Sequence, residues 1–413
     1  MSDLLRRATH LQAGGRLPSL VVGVLRDGAL VEQAAVGTSS DTAYRIGSIT
    51  KTLTAVLVLQ LRDEGRLALA DQLRTHLPGT GYADATVADL LGHTAGLQSE
   101  PCGPWWERSP GGDFAALAAA NDGRGRVAGP GEWFHYSNLC YGLLGELVAR
   151  LRDAPWWEVV TDRLLRPLAM TRTTYGPVAP HALGHSVEHF TSRLAEEPHT
   201  DTGAMAPAGQ AWSTIADLAV WATVLAGRRP EILSRDTALE MGIDRLGSGY
   251  GLGLRLIEVA GRPHVGHTGS MPGFQASLFV DQHTGDGTIG LADATTGLDA
   301  DGLPGLLLTG EVPAPRRAWV PTTELPDVLA EVCGLWFWGN TAIELRWQDE
   351  ALQARSLQSG RLMYTFGVDD GRIVGRTGYH RGETLHVHRT HLECATFVYT
   401  RTPYDPAAPI PGR

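Results

Sequence analysis

Lysine is almost missing from this chain of 413 residues. Of its 35 basic residues only Lys51 is a lysine, and the rest are arginine. Arg cannot be deprotonated inside a protein, whereas a desolvated Lys can lose its proton and act as a base. The one retained amine therefore marks the place that needs a removable proton. Lys51 stands three residues after Ser48, in Arg45-Ile46-Gly47-Ser48-Ile49-Thr50-Lys51.

Other absences narrow the class. There are four cysteines, Cys102, Cys140, Cys333 and Cys394, and no C-x-x-C pair. That is too few for a disulfide framework in so long a chain, and predicts reduced thiols in a cytoplasm. No stretch reaches the roughly 18 uninterrupted apolar residues of a membrane helix. Residues 1–15 read as an amphipathic helix carrying Arg6 and Arg7. They have no apolar h-region or cleavage site, so no secretory signal and no membrane partner are expected. The net charge is -10 and the basic residues are scattered, which argues against nucleic acid as a partner. No G-x-S-x-G is present, which excludes a nucleophile elbow. Gly285, Gly287 and Gly290 match G-x-G-x-x-G, but in a turn leading into a strand, so no nucleotide cofactor is expected. His185 and His189 stand at i,i+4 without the H-E-x-x-H order, and the His-rich stretch around them reads as a solvated loop. No metal is expected.

What is present organises into two parts. Residues 20–25 and 29–36 flank Asp27-Gly28 and read as a hairpin. Residues 49–66 and 138–150 read as helices, and Thr214 to Asp217 resembles a capping box opening a third. Residues 250–259, 263–266, 274–281 and 288–292 read as strands, and residues 303–308 as a closing helix. This predicts an α/β fold with a mostly antiparallel sheet and a helical insert between early and late strands, over residues 1–312. Residues 313–326 are rich in proline and read as a linker. Residues 327–413 alternate in short apolar runs, predicting a small all-β domain of roughly six to eight strands.

The chemistry starts from Ser48 and Lys51. On a helix, residues at i and i+3 share a face, so the amine can reach the hydroxyl and serve as its base. Tyr136-Ser137-Asn138 offers a phenol to shuttle a proton and an amide to bind a substrate carbonyl. His267-Thr268-Gly269 lies just before an apparent edge strand, where Gly allows close backbone approach. The backbone N–H groups of Ser48 and Ser270 can form an oxyanion hole. Trp105, Trp106, Trp133 and Phe134 flank the Tyr136 segment and are candidates for lining the cleft.

Ser48-x-x-Lys51, Tyr136-x-Asn138 and His267-Thr268-Gly269, in that order, resemble the penicillin-binding-protein and class C β-lactamase family of serine acyl enzymes. The connecting stretches Leu90 to Leu97, Pro207-Ala208-Gly209 and Gly269 to Phe274 are similar too, and the likeness covers about residues 15 to 310. The resemblance implies an acyl-enzyme on Ser48, with Lys51 as base. It implies Tyr136 as the group that hands the proton to the leaving group and later activates the acceptor. Asn138 would hold the amide of the acyl chain, and His267, Thr268 and Gly269 would form the third wall. True β-lactamases carry Lys where this chain has His267. A His is only partly charged at neutral pH and anchors a carboxylate poorly, so efficient β-lactam hydrolysis is not expected.

The layout, with a lipocalin-like C-terminal domain, also resembles penicillin-binding-protein-type thioesterases. That favours a stand-alone enzyme taking a peptidyl thioester with a C-terminal D-residue and closing it to a macrocycle. Its partner would be a carrier protein presenting the peptide on phosphopantetheine. The alternatives are a cytoplasmic esterase, D-aminopeptidase, amidase or D,D-peptidase-like hydrolase, and a catalytically idle peptide-binding homologue.

Overall fold

The computed structural model describes residues 2–405 and 407–409. The chain divides into two compact units. One comprises Met1–Ser186 with Glu196–Trp319, and the other Val187–Ala195 with Val320–Arg413. Among the described residues no helix is long and apolar enough to cross a membrane.

The first unit is built on a six-stranded antiparallel sheet. Its order is Ala29–Val36, Leu20–Arg26, Gly287–Ala292, Phe274–Val280, Arg262–Met271 and Arg255–Val259. The first hairpin forms as its turn residues dictate, with Asp27 and Gly28 both at positive φ, as a two-residue turn needs. Leu20–Arg26, Phe274–Val280 and Gly287–Ala292 are buried nearly throughout, because helices cover the sheet. Asp3–Gly15 forms the amphipathic first helix, with Ser2 as its N-cap; Met1, also part of the expected helix, lies outside the described residues.

Thr50–Asp63 is the central helix, buried along almost its whole length. It follows a single 3-10 turn, Gly47–Ile49, so Ser48 precedes the α-helix proper. Asn138–Arg152 packs beside it. Ile215–Leu225 begins at Thr214, whose hydroxyl accepts from the Asp217 N–H. Asp217 does not complete a capping box. Its carboxylate accepts from the Arg172 N–H and the Thr173 hydroxyl, at 2.9 and 2.8 Å.

Two strand expectations shift. Residues 250–254 are not strand, Tyr250 making only an isolated bridge to Arg255, where the strand begins. The next strand is longer than expected, Arg262–Met271, and contains His267-Thr268-Gly269. Phe274–Val280, the strand expected to follow the motif as an edge, lies inside the sheet between Gly287–Ala292 and Arg262–Met271. The edge is Arg255–Val259, whose last pair is Arg255 with Gly266. From His267 onward the Arg262–Met271 strand has lost that neighbour while still pairing with Phe274–Val280. The third motif therefore sits on a locally open strand edge.

The second unit is a closed eight-stranded antiparallel barrel running in sequence order from Gly334–Trp338 to Phe397–Thr400. The sequence reading missed Gly334–Trp338 and His391–Cys394 as strands. Trp336, Ile343, Leu345, Phe366 and Tyr399 belong to its core. Val187–Ala195 joins this unit: the Trp347 N–H donates to the Phe190 carbonyl at 2.7 Å, and the Ser192 hydroxyl to the Trp347 carbonyl at 3.2 Å. The division after Trp319 falls within residues 313–326, the stretch read as a linker; Trp319 itself is buried, its carbonyl accepting from Gln12 Nε2 at 2.9 Å and its N–H donating to Gln12 Oε1 at 2.8 Å.

Candidate active site

Ser48 and Lys51 meet as the helical spacing requires. Lys51 Nζ lies 2.8 Å from Ser48 Oγ and donates to the Ala208 carbonyl at 2.7 Å. The residue is fully buried, and burial lowers the ammonium from its ordinary value to about 7, against an opposing pull from Glu100 and Glu107. The segment Ala206–Gly209 that receives Lys51 is fastened to the same helix, since the Thr54 hydroxyl donates to the Pro207 carbonyl at 3.1 Å.

Tyr136 stands over the amine, with Lys51 Nζ 5.2 Å from its ring centroid. Burial raises its phenol well above the usual range, while a hydrogen bond with Ser48 pulls the other way. Tyr136 is thus a neutral phenol at neutral pH, and the free base of the site is the amine.

Ser48 and Ser270, whose N–H groups are the expected oxyanion pair, are brought near each other by close backbone packing. A Cβ on Gly47 would lie 2.5 Å from the Ser270 amide nitrogen, and one on Gly269 would lie 1.9 Å from the Ile46 carbonyl oxygen. Only glycine at both positions lets the open strand edge reach the turn that carries Ser48.

Asn138 is held from behind. Its Nδ2 donates to both carboxylate oxygens of Glu100, at 2.8 and 3.0 Å, and its buried Oδ1 has no partner among the described residues. Glu100 also accepts from Trp106 Nε1 at 2.6 Å. Its loop is stitched to the second motif by the Asn138 N–H to the Ser99 carbonyl and the Ser137 hydroxyl to the Gln98 carbonyl. Glu107, held by Trp105 Nε1 at 2.9 Å, has its carboxyl pushed up by burial.

The third motif differs from expectation in its charge. His267 is buried, and burial beside Lys51 drives its imidazole down to about 3. It is neutral, not partly charged. Both ring nitrogens are engaged, Nε2 with the Tyr250 hydroxyl at 3.1 Å and Nδ1 with the Thr268 carbonyl, so His267 offers a substrate no ion. The cation at this wall is Arg255, whose guanidinium donates to Thr268 Oγ1 at 2.7 Å and pairs with Asp301 at 2.6 Å.

The four candidate aromatic residues divide. Trp106 is buried behind Glu100, and Phe134 packs edge-on against His93 at 6.0 Å. Trp105 and Trp133 are 58% and 50% exposed. Sequence reasoning missed Glu100, Glu107, Arg255, Asp301 and Tyr250. Arg255 alone carried a local signal: reading Ala260-Gly261 as a hairpin turn registers Arg255 against Gly266, two residues before Thr268.

Residues 4–306 match the beta-lactamase family model, and residues 325–401 match a domain of unknown function (DUF7586). Penicillin-binding protein 4 of Amycolatopsis lactamdurans is 28% identical over 302 residues, covering 66% of this chain and 78% of that protein. The octameric penicillin-binding protein homologue from Pyrococcus abyssi superposes with a TM-score of 0.67 at 21% identity, covering 95% of this chain and 98% of its own. A D-stereospecific amidohydrolase from Streptomyces sp. superposes with a TM-score of 0.65 at 26% identity, covering 75% of this chain and 100% of its own. With this family match over most of its length, the chain belongs to the beta-lactamase and penicillin-binding-protein family and is a serine enzyme of the hydrolase and acyltransferase type.

Proposed function

We propose that this protein is a D-stereospecific amidohydrolase that forms an acyl-enzyme on Ser48 and prefers acyl donors with a free ammonium group and an uncharged leaving group. The observation that carries the reading is the charge of the cleft. Glu100 and Glu107 both act on Lys51, His267 is neutral, and Arg255 is spent on Asp301. Such a site attracts a cation on the acyl side, and among the described residues its third wall offers a leaving-group carboxylate no unpaired cation. That speaks for amides and esters over D,D-dipeptides and β-lactams. The likeness to a D-stereospecific amidohydrolase at 26% identity supports the same substrate class.

In this mechanism neutral Lys51 takes the Ser48 proton as Oγ attacks the carbonyl. The Ser48 and Ser270 N–H groups would hold the oxyanion. Tyr136, hydrogen-bonded to Ser48 and close to Lys51, would relay the proton to the departing amine. Water would then attack the ester by the reverse path, with the amine again as base. Asn138 Oδ1 is the acceptor left for an N–H of the acyl group.

The test is a panel of D- and L-amino-acid amides, their N-acetylated forms, D,D-dipeptides and nitrocefin, followed by product release and intact mass. The expected order places free D-amino-acid amides first. Equal turnover of N-acetylated forms would remove the ammonium argument.

A second reading, macrocyclising release of a peptidyl thioester presented by a carrier protein, draws on Trp105 and Trp133. Two half-exposed aromatic rings flanking the Glu100 and Tyr136 segments offer an apolar platform for a long acyl chain.

A further inference from the structure

Behind the proposed catalytic groups lies a buried chain of hydrogen bonds that the mechanism above does not use. The Ser137 N–H donates to His93 Nδ1 at 3.1 Å. His93 Nε2 lies 3.2 Å from the Tyr250 hydroxyl, and that hydroxyl lies 3.1 Å from His267 Nε2. His267 Nδ1 meets the Thr268 carbonyl. His93, Tyr250 and His267 are all buried.

The two ends fix the direction of every proton. A backbone N–H can only donate, so His93 Nδ1 carries a lone pair and its proton sits on Nε2. A carbonyl can only accept, so the His267 proton sits on Nδ1 and Nε2 carries the lone pair. Tyr250 then accepts from His93 and donates to His267. One arrangement satisfies all four contacts, and it requires both imidazoles to be neutral. The neighbouring basic groups agree. Lys51 and His135 act on His93, Lys51 and Arg255 act on His267, and all of these, with burial, oppose imidazolium.

We infer that Tyr250 and His93 are positioning residues that lock the Tyr136-Ser137-Asn138 segment to the His267-Thr268-Gly269 strand edge through a one-way hydrogen-bond chain. The inference rests on the reading of Ser48 as nucleophile and Tyr136 as proton relay. The His93 ring supports Tyr136 directly, with centroids 4.2 Å apart. Tyr250 must donate and accept through one oxygen, whereas each imidazole uses two nitrogens, so it is the link that neither a Phe nor a pure donor can replace. A chain whose every polar group is satisfied holds one geometry, and one missing link leaves two buried groups unpaired.

The experiment combines imidazole 15N NMR on histidine-labelled enzyme with inactivation by a fluorophosphonate. Signals are assigned by their loss in His93→Asn and His267→Asn. In the wild type, His93 is expected as the Nε2–H tautomer and His267 as the Nδ1–H tautomer, both unchanged between pH 5 and 8. In Tyr250→Phe, which keeps the ring, both tautomers should become mixed. The inactivation rate constant should fall at least about tenfold while the half-saturating concentration stays within about twofold. A wild-type His267 protonated on Nε2, or Tyr250→Phe labelled within twofold of wild type, overturns the proposal. Labelling of Ser48→Ala at the wild-type rate would instead remove the nucleophile on which the proposal stands.

Discussion

Arg255 and Asp301 form an ion pair at the mouth of the third motif, with Nη1 to Oδ1 at 2.6 Å and Nη2 to Oδ2 at 3.3 Å. The pair sets what this wall can recognise. Its guanidinium reaches Thr268, but its charge is already balanced. Asp301→Asn should free it. Because the pair is partly exposed, the gain is modest, roughly two- to fivefold in kcat/KM for donors whose leaving group carries a carboxylate. Uncharged D-amino-acid amides should be unaffected. Steady-state rates on a D,D-dipeptide and the matching amide check this, and an equal change in both would mean that Arg255 does not face the leaving group.

The base makes its own prediction. Lys51 carries an ammonium brought down to about 7 by burial, and only the neutral amine accepts a proton. The kcat/KM profile should therefore rise with pH and level off above about 7. Lys51→Arg keeps the charge but has no accessible neutral form, so it should lose about 10²- to 10⁴-fold, as much as Lys51→Ala. Ser48→Ala should give no covalent adduct by intact mass. A Lys51→Arg enzyme with most of its rate would make the amine an electrostatic group only.

The acidic wall is tested by neutralising it. Glu100→Gln should lower kcat/KM for free D-amino-acid amides by about 10- to 100-fold, the worth of a charged hydrogen bond, and leave N-acetylated donors nearly unchanged. Glu107→Gln should act in the same direction. A uniform loss on both donors would point to a displaced Asn138, which Glu100 holds.

How much of this was legible depends on distance along the chain. Ser48 and Lys51 share one helical turn, so their encounter followed from spacing alone. The first hairpin followed from Asp27-Gly28, and the barrel from alternating short runs. Glu100 was not legible, because it reaches Asn138 across 38 residues through a loop without periodicity. The neutrality of His267 was not legible either. It depends on burial and on Lys51, which arrives from a helix 216 residues earlier in the chain. The motif letters gave identity, while tertiary packing gave charge state.

The unit boundary predicts how truncation behaves. Val187–Ala195 belongs to the barrel unit and bonds to Trp347 through Phe190 and Ser192. A protein ending at Trp319 should keep the large core of the first unit but lose these partners. Limited proteolysis should then cut within residues 187–195 in the truncated protein and spare them in the full chain. Equal resistance in both would show that the segment is held without the barrel strands.

The last prediction separates hydrolysis from cyclisation, the two fates open to the acyl-enzyme. Macrocyclisation requires that a tethered amine reach the ester before water does. Effective concentration favours the amine only if the acyl chain folds back near Tyr136 and water is excluded there. Trp105 and Trp133 are the residues that can shield a long acyl chain, and both are half-exposed. Glu100 and Glu107 act in the opposite sense, since an acyl group whose α-ammonium is held by carboxylates has no amine to spare. A linear peptidyl thioester with a C-terminal D-residue is the discriminating substrate. On the amidohydrolase reading it should give mainly free acid at every peptide length, and Trp105→Ala with Trp133→Ala should change the product ratio less than about twofold. On the cyclase reading cyclic product should dominate for the D-residue, an L-residue should react more slowly, and the double alanine variant should shift the products toward free acid. Mass-resolved chromatography of the products reads both. Dominant cyclic product that turns to acid when the two Trp side chains are removed would replace the amidohydrolase as the function of this site.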